Sequence, residues 1–155
     1  LLANVAAIIS YVPVGMVSSK VGRKKAILVG VIMLFVAFGV AAFMSASSPS
    51  WLMYIMFCLA GVAWAAINVN SFPMVVEMCD GGDVGKYTGF YYTASMAAQS
   101  LTPYISGLFL ERAMTSLFPY AAIFVGLAFV TMLMVKHGDN KVEAKKGLDA
   151  YDMED

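Results

Sequence analysis

The chain has 155 residues, of which 61% are hydrophobic and 13% are charged, and its formal net charge is zero. A soluble domain has roughly a quarter of its residues charged, so this composition and the mean hydropathy of +0.78 exclude an ordinary soluble globular protein. The ten cations and ten anions lie almost entirely outside the apolar runs, which indicates that charge sets topology in a membrane and argues against binding to nucleic acid.

The apolar runs predict an all-α membrane protein with five transmembrane helices, since one crossing takes about 20 helical residues. The charge-free run from Ala26 to Val76 is too long for a single crossing, and the SASSPS segment at residues 45–50 is the turn-rich place to divide it. The predicted helices cover about residues 1–17, 26–46, 51–76, 87–110 and 116–135, and they are followed by a charged tail at 136–155.

The cations predict the orientation of these helices, because cations in short loops mark the cytoplasmic face. Alternation of the five helices puts nine of the ten cations on one side, and Arg112 alone on the other. Those nine are Lys20, Arg23, Lys24, Lys25, Lys86, Lys136, Lys141, Lys145 and Lys146. We therefore expect a multi-pass protein of the cell membrane, in contact with the lipid bilayer, whose C-terminal tail is cytoplasmic.

Polar side chains concentrate on the third and fourth helices. Trp64 and Asn68 share one face of the third helix, while Asn70 lies about 200° away from Asn68. On the fourth helix, one polar stripe includes Tyr92 and Gln99. An indole beside an amide suits a sugar, so Trp64, Asn68, Tyr92 and Gln99 are the predicted lining of a solute pathway. Packing and hydrogen bonds between helices remain the alternative.

Three prolines lie inside predicted helices, at Pro13, Pro73 and Pro103. Each removes one backbone hydrogen bond, and interrupted helices near the midplane are typical of transporters. They are predicted helix breaks, with a simple kink as the alternative.

The rest of the sequence gives little support for an enzyme or a metal site. The GGDVGKYTG segment lacks phosphate-loop spacing, because Asp80 and Tyr87 occupy positions where that loop needs glycine and a hydroxyl residue. Cys58 and Cys79 have no metal-ligand spacing. We expect no catalytic residues, no metal and no cofactor.

The segment Gly15-x-x-x-Ser19-Lys20-x-Gly22-Arg23-Lys24 resembles the signature loop of the major facilitator superfamily, with Ser19 in place of the usual acid. The resemblance implies helices eight to twelve of a twelve-helix fold, and about seven more hydrophobic spans before Leu1. It also implies a cytoplasmic gate in which Arg23 pairs with Glu77. The residues assigned to this gate are Gly15, Lys20, Gly22, Arg23, Lys24, Glu77 and Lys86.

The run from Asn68 to Gln99 is similar to sucrose-transporter-like and glycoside-pentoside-hexuronide:cation symporters. The matching residues are Pro73, Glu77, Gly85, Lys86, Thr88 and Gly89. This similarity implies a sugar or glycoside as the small-molecule solute, carried by alternating access and coupled to protons or sodium. The missing half of the same protein would supply the coupling-ion site. An exporter of apolar compounds and a non-transporting five-helix scaffold remain the alternatives.

Overall fold

The computed structural model describes residues 1–45, 48–79, 82–111 and 116–136. Within these ranges the chain forms five helices: α1 (Leu2–Val21), α2 (Arg23–Ala42), α3 (Ser50–Val76), α4 (Val84–Leu110) and α5 (Leu117–Met134). Four of them are both long enough and apolar enough to cross a membrane. The exception is α4, which is long enough at 27 residues but carries the polar stripe. The predicted all-α membrane fold is confirmed.

The boundary between the first two helices differs from the prediction. α1 does not end near residue 17 but continues to Val21, and α2 begins at Arg23 rather than at residue 26. Gly22 alone separates them, with φ 105° and ψ 140°, a left-handed conformation that glycine adopts without a steric penalty. The basic segment is therefore mostly helical, because long cationic side chains can extend to water from a helix end.

The other predicted boundaries differ by a few residues. α2 ends at Ala42, before the predicted residue 46, and α4 begins at Val84 rather than at residue 87. α5 runs from Leu117 to Met134, within the predicted range. Apart from Lys136, the predicted tail lies outside the described residues.

α3 lies at the centre of the bundle, with α1 and α2 packed against it and α5 packed against α2. Most of its buried residues are small, namely Gly61, Ala63, Ala65 and Ala66. Lipid is as apolar as a leucine side chain, so helices in a membrane associate through close packing, which small residues allow. The larger buried side chains lie where α2, α3 and α5 meet, and include Ile27, Val31 and Met74.

α4 is attached differently from the other helices. None of its residues is buried, and aromatic contacts connect it to its neighbours at two levels, one in its N-terminal third and one next to its C-terminal end. The Phe72 ring centroid of α3 lies 5.6 Å from that of Tyr91, and the Phe109 centroid lies 5.0 Å from that of Tyr120 on α5. The residues between these contacts therefore leave the polar stripe exposed.

The packing of α1 on α3 predicts that Gly61→Ala destabilises the protein. A methyl group at Gly61 would overlap the carbonyl oxygen of Ala3, and overpacking of this kind costs about 1–3 kcal/mol. Thermal unfolding of the purified chain in detergent measures the effect. Gly39→Ala is the matched control, because a methyl group there meets nothing within 4 Å. Equal unfolding temperatures for the two variants would contradict the close packing.

Candidate functional site

Arg23 and Glu77 form an ion pair between the start of α2 and the end of α3. Arg23 Nη2 lies 2.7 Å from Glu77 Oε1, and the two side chains are 22% and 19% exposed. The pairing expected from the sequence is therefore present. Water and salt screen a pair that is about four-fifths buried less than they screen an exposed one, so this contact holds the two helix ends together.

The carboxylate of Glu77 uses only one of its oxygens in this pair. The other oxygen, Oε2, is buried and accepts no hydrogen bond from any described residue. A bidentate arginine–carboxylate pair would engage both oxygens. The observed geometry is therefore the weaker, single-contact form.

Lys24 connects α2 to the end of α5. Its Nζ donates to the carbonyl oxygen of Leu133 at 3.3 Å and also to that of Val135. α5 ends at Met134, and the last carbonyls of a helix have no donor within the helix. An ammonium group there also interacts favourably with the helix dipole. Lys24, assigned to the gate with Arg23, thus binds a different helix.

The remaining residues assigned to the gate take no part in the Arg23–Glu77 pair or in the Lys24 contact. Gly15 lies against α3, where a methyl group on it would be 3.6 Å from Val69 Cγ1. Lys20 and Lys86 are exposed, and neither has an ion pair with another described residue. Ser19, in the position of the acid, donates to the carbonyl oxygen of Met16 at 2.8 Å, so its hydroxyl bonds within α1.

We refer to the basic end of the bundle as the end that contains Gly22, the Arg23–Glu77 pair and the Lys24 contact. Three helices, α2, α3 and α5, are joined there by two consecutive cations. Gly22 positions both, because it lets α2 start immediately after α1. Of the residues assigned to the gate, the structure thus brings Gly22, Arg23, Lys24 and Glu77 together, and it leaves Lys20 and Lys86 exposed.

On α3, Trp64 and Asn68 share one face and Asn70 points elsewhere, as expected from helical spacing. The Trp64 side chain is 56% exposed, and Asn68 Nδ2 donates to the Trp64 carbonyl oxygen at 2.9 Å. Asn70 points to the opposite side, is only 2% exposed, and donates to the Ala66 carbonyl oxygen at 2.7 Å. Asn68 is therefore partly exposed, whereas Asn70 is part of the packed core.

Phe72 extends this face and was not predicted. It lies four residues after Asn68, so Trp64, Asn68 and Phe72 share one face of α3. Its ring centroid is 5.8 Å from that of Tyr92, and Tyr91 packs beside both. We call Phe72, Tyr91 and Tyr92 the aromatic cluster. The four-residue spacing in the sequence could have identified Phe72.

Gln99 has no hydrogen bond to Trp64, Asn68 or Tyr92. It is exposed and makes no hydrogen bond with the described residues. A cavity of about 490 Å³ lies at the opposite end of the bundle and is lined by residues such as Ser48, Tyr54 and Phe118. Trp64, Tyr92 and Gln99 are exposed, Asn68 is partly exposed, and none of the four lines this cavity.

The comparison with known families agrees with these helices and with the motif around Gly22. The family model described as Major Facilitator Superfamily matches residues 1–150. The chain belongs to the major facilitator superfamily. Members of this superfamily carry small solutes across membranes, and the apolar helices make the chain a multi-pass membrane protein. A search of curated proteins gives no match to it.

The predicted helix breaks are not present in this superfamily chain. Pro13, Pro73 and Pro103 each lie inside a helix that continues past them. The φ angle that proline imposes is compatible with a helix, and one lost hydrogen bond does not end a span whose other backbone groups are paired. The prolines are therefore sites of reduced backbone bonding within continuous helices.

The partly buried geometry of the ion pair predicts a measurable coupling between Arg23 and Glu77. Exposed pairs contribute about 0–1 kcal/mol, and breaking a fully buried pair costs about 3–5 kcal/mol. We expect a coupling of about 1–2 kcal/mol in a double-mutant cycle of Arg23→Gln and Glu77→Gln. Unfolding of the chain by denaturant in mixed micelles provides the four free energies.

The control cycle combines Lys20→Gln with Glu77→Gln, because Lys20 is exposed and has no partner among the described residues. Its coupling should be close to zero. Equal coupling in both cycles would mean that the effect reflects net charge and not the Arg23–Glu77 contact.

Proposed function

We propose that the protein is the second half of a sugar or glycoside transporter that works by alternating access, coupled to protons or sodium. Family membership supports transport of a small solute. The observation that favours a sugar is the exposed face of α3, where the Trp64 indole and the Asn68 amide lie one turn apart, next to the aromatic cluster.

The chemistry of this face matches the two kinds of surface that a sugar presents. The half-exposed indole of Trp64 can cover the apolar C–H face of a pyranose ring. The Asn68 amide uses one N–H on the Trp64 carbonyl, which leaves its second N–H and its oxygen for hydroxyl groups. Tyr92, 50% exposed, adds a phenolic hydroxyl next to the same face.

Gln99 lies at a similar depth to Trp64, although the two residues are on different helices. The Phe72–Tyr92 contact marks one level shared by α3 and α4. From that level Trp64 is eight residues back along α3, and Gln99 is seven residues on along α4. Consecutive helices run in opposite directions, so both residues lie on the same side of that level. Each is displaced about 10–12 Å along its helix axis, away from the basic end. A solute between α3 and α4 could therefore contact both.

The exposure of α4 supports the assignment to the second half of a longer transporter. A helix with a polar stripe and no buried residue is costly in lipid, where polar side chains face protein or a watery cavity. We propose that helices preceding Leu1 in the same protein cover this face. They would also supply the coupling-ion site, since α1–α5 contain no carboxylate or histidine. The proposed orientation has the basic end and the C-terminus in the cytoplasm.

In this proposal the Arg23–Glu77 pair is a gate at the cytoplasmic side. It holds the ends of α2 and α3 together when the transporter is open to the outside, and it separates when the inner side opens. The partial burial of both side chains supports this role for the pair. Opening would expose the two charges to water, where their attraction is weaker.

The proposed solute face predicts that Asn68→Ala and Gln99→Ala weaken sugar uptake by the complete protein, including the helices proposed to precede Leu1. A neutral hydrogen bond contributes about 0.5–1.5 kcal/mol, so the KM for a labelled disaccharide should rise about 3- to 10-fold. Thr131→Ala on α5 is the control, since that hydroxyl donates to its own helix at Ala128. Unchanged KM values for both variants would exclude these residues from the solute site.

The proposed gate predicts that Arg23→Ala shifts the complete protein toward the inward-open state. Cys79, two residues after Glu77 and partly buried, serves as reporter in a Cys58→Ala background. Its labelling by a membrane-impermeant thiol reagent in inside-out vesicles should become several-fold faster, and Arg23→Lys, which keeps the charge, should restore much of the slow rate. If labelling is equally slow in Arg23→Ala, the cation sets topology only.

A further inference from the structure

An apolar groove runs between α1, α2 and α3, starting at the basic end of the bundle. It has a volume of about 270 Å³, and its walls include Pro13 and Val17 of α1, Val29 and Met33 of α2, and Ala66 of α3. Val17 and Val29 are 59% and 54% exposed, so the groove opens to the surroundings of the bundle. In a multi-pass protein, an apolar outer surface of this kind faces lipid or another apolar helix.

The walls offer almost no hydrogen-bonding group to a polar solute. Ser18 is a polar residue among the lining side chains, but it is only 4% exposed, and its hydroxyl donates to the Gly15 carbonyl oxygen at 3.0 Å. A sugar or other hydrated solute would lose its hydrogen bonds to water there without replacement. The groove therefore suits a hydrocarbon chain.

Lys25 is the charged residue that lines this groove. It lies in the first turn of α2, next to Arg23 and Lys24, which contact Glu77 and the end of α5. Lys25 is exposed and makes no hydrogen bond or ion pair with any described residue. Its ammonium group is thus available to an external anion at the membrane surface.

The dimensions of the groove match one leaflet. From Lys25 to Met33 the wall extends about 12 Å along α2, and half of the hydrocarbon core is about 15 Å. We propose that the groove binds an anionic phospholipid, with an acyl chain along the apolar walls and the phosphate group at Lys25. Charge complementarity at one end and an almost entirely apolar wall beyond it favour this occupant over a partner helix. The proposal does not depend on the sugar assignment.

The test uses the complete protein, including the helices proposed to precede Leu1, in nanodiscs that contain phosphatidylglycerol or phosphatidylcholine with a photoreactive diazirine in the acyl chain. After illumination, mass spectrometry of peptides measures crosslinking to α1 and α2. One lysine near an anionic surface should favour the anionic lipid about fivefold. Lys25→Gln should reduce phosphatidylglycerol crosslinking to the level of phosphatidylcholine, and Val29→Phe, which fills the groove, should reduce crosslinking of both lipids.

Two matched controls separate this site from general attraction to the membrane. Lys20→Gln removes an exposed lysine that does not line the groove, and Val36→Phe adds the same bulk to a 45% exposed position of α2 outside it. Both should leave crosslinking unchanged. Equal crosslinking of the two lipids in the original chain would overturn the proposal. An equal effect of Lys20→Gln and Lys25→Gln on crosslinking would also overturn the proposal. So would crosslinking of the groove residues to a second copy of the chain instead of to lipid.

Discussion

The conformation of Gly22 determines how the basic end of the bundle is built. With φ at 105°, one residue both ends α1 and starts α2, and no loop intervenes. A residue with a Cβ atom is strained in this conformation, so a substitution would have to lengthen the connection or distort the first turn of α2. Arg23, Lys24 and Lys25 are thereby fixed as consecutive helical positions instead of being spread along a flexible loop.

Side chains at consecutive positions on a helix point about 100° apart. Arg23, Lys24 and Lys25 therefore face three different parts of the bundle. Arg23 pairs with Glu77 at the end of α3, Lys24 binds the last carbonyls of α5, and Lys25 lines the groove beside α1. Taken alone, cations at a helix N-terminus and an acid at a helix C-terminus both oppose the helix dipole. The Arg23–Glu77 pair offsets both unfavourable placements, while Lys24 is favourably placed with respect to α5.

The sequence predicts most of the fold because hydropathy and span length are local properties. The five helices and the Arg23–Glu77 pair follow from the apolar runs and from the family resemblance. The run of cations predicts a loop before residue 26, but α2 begins at Arg23, because lysine and arginine can lie in a helix and still reach water. The contact of Lys24 with α5 joins residues 109 positions apart, and no local pattern encodes it. The face of Trp64 and Asn68 was predictable from spacing, whereas the level of Gln99 depends on how α3 and α4 pair.

The attachment of α4 has a mechanical consequence. Aromatic rings connect it to its neighbours at two levels, through Tyr91 and Tyr92 in its N-terminal third and through Phe109 next to its C-terminal end, and the intervening 16 residues have no buried side chain. Among the described residues, α4 is therefore supported at these two levels and has little packing between them. Pro103 weakens the backbone within the free part, where helices bend most readily. Bending of α4 in this part would displace Gln99 sideways while the aromatic contacts of Tyr92 and Phe109 stay in place.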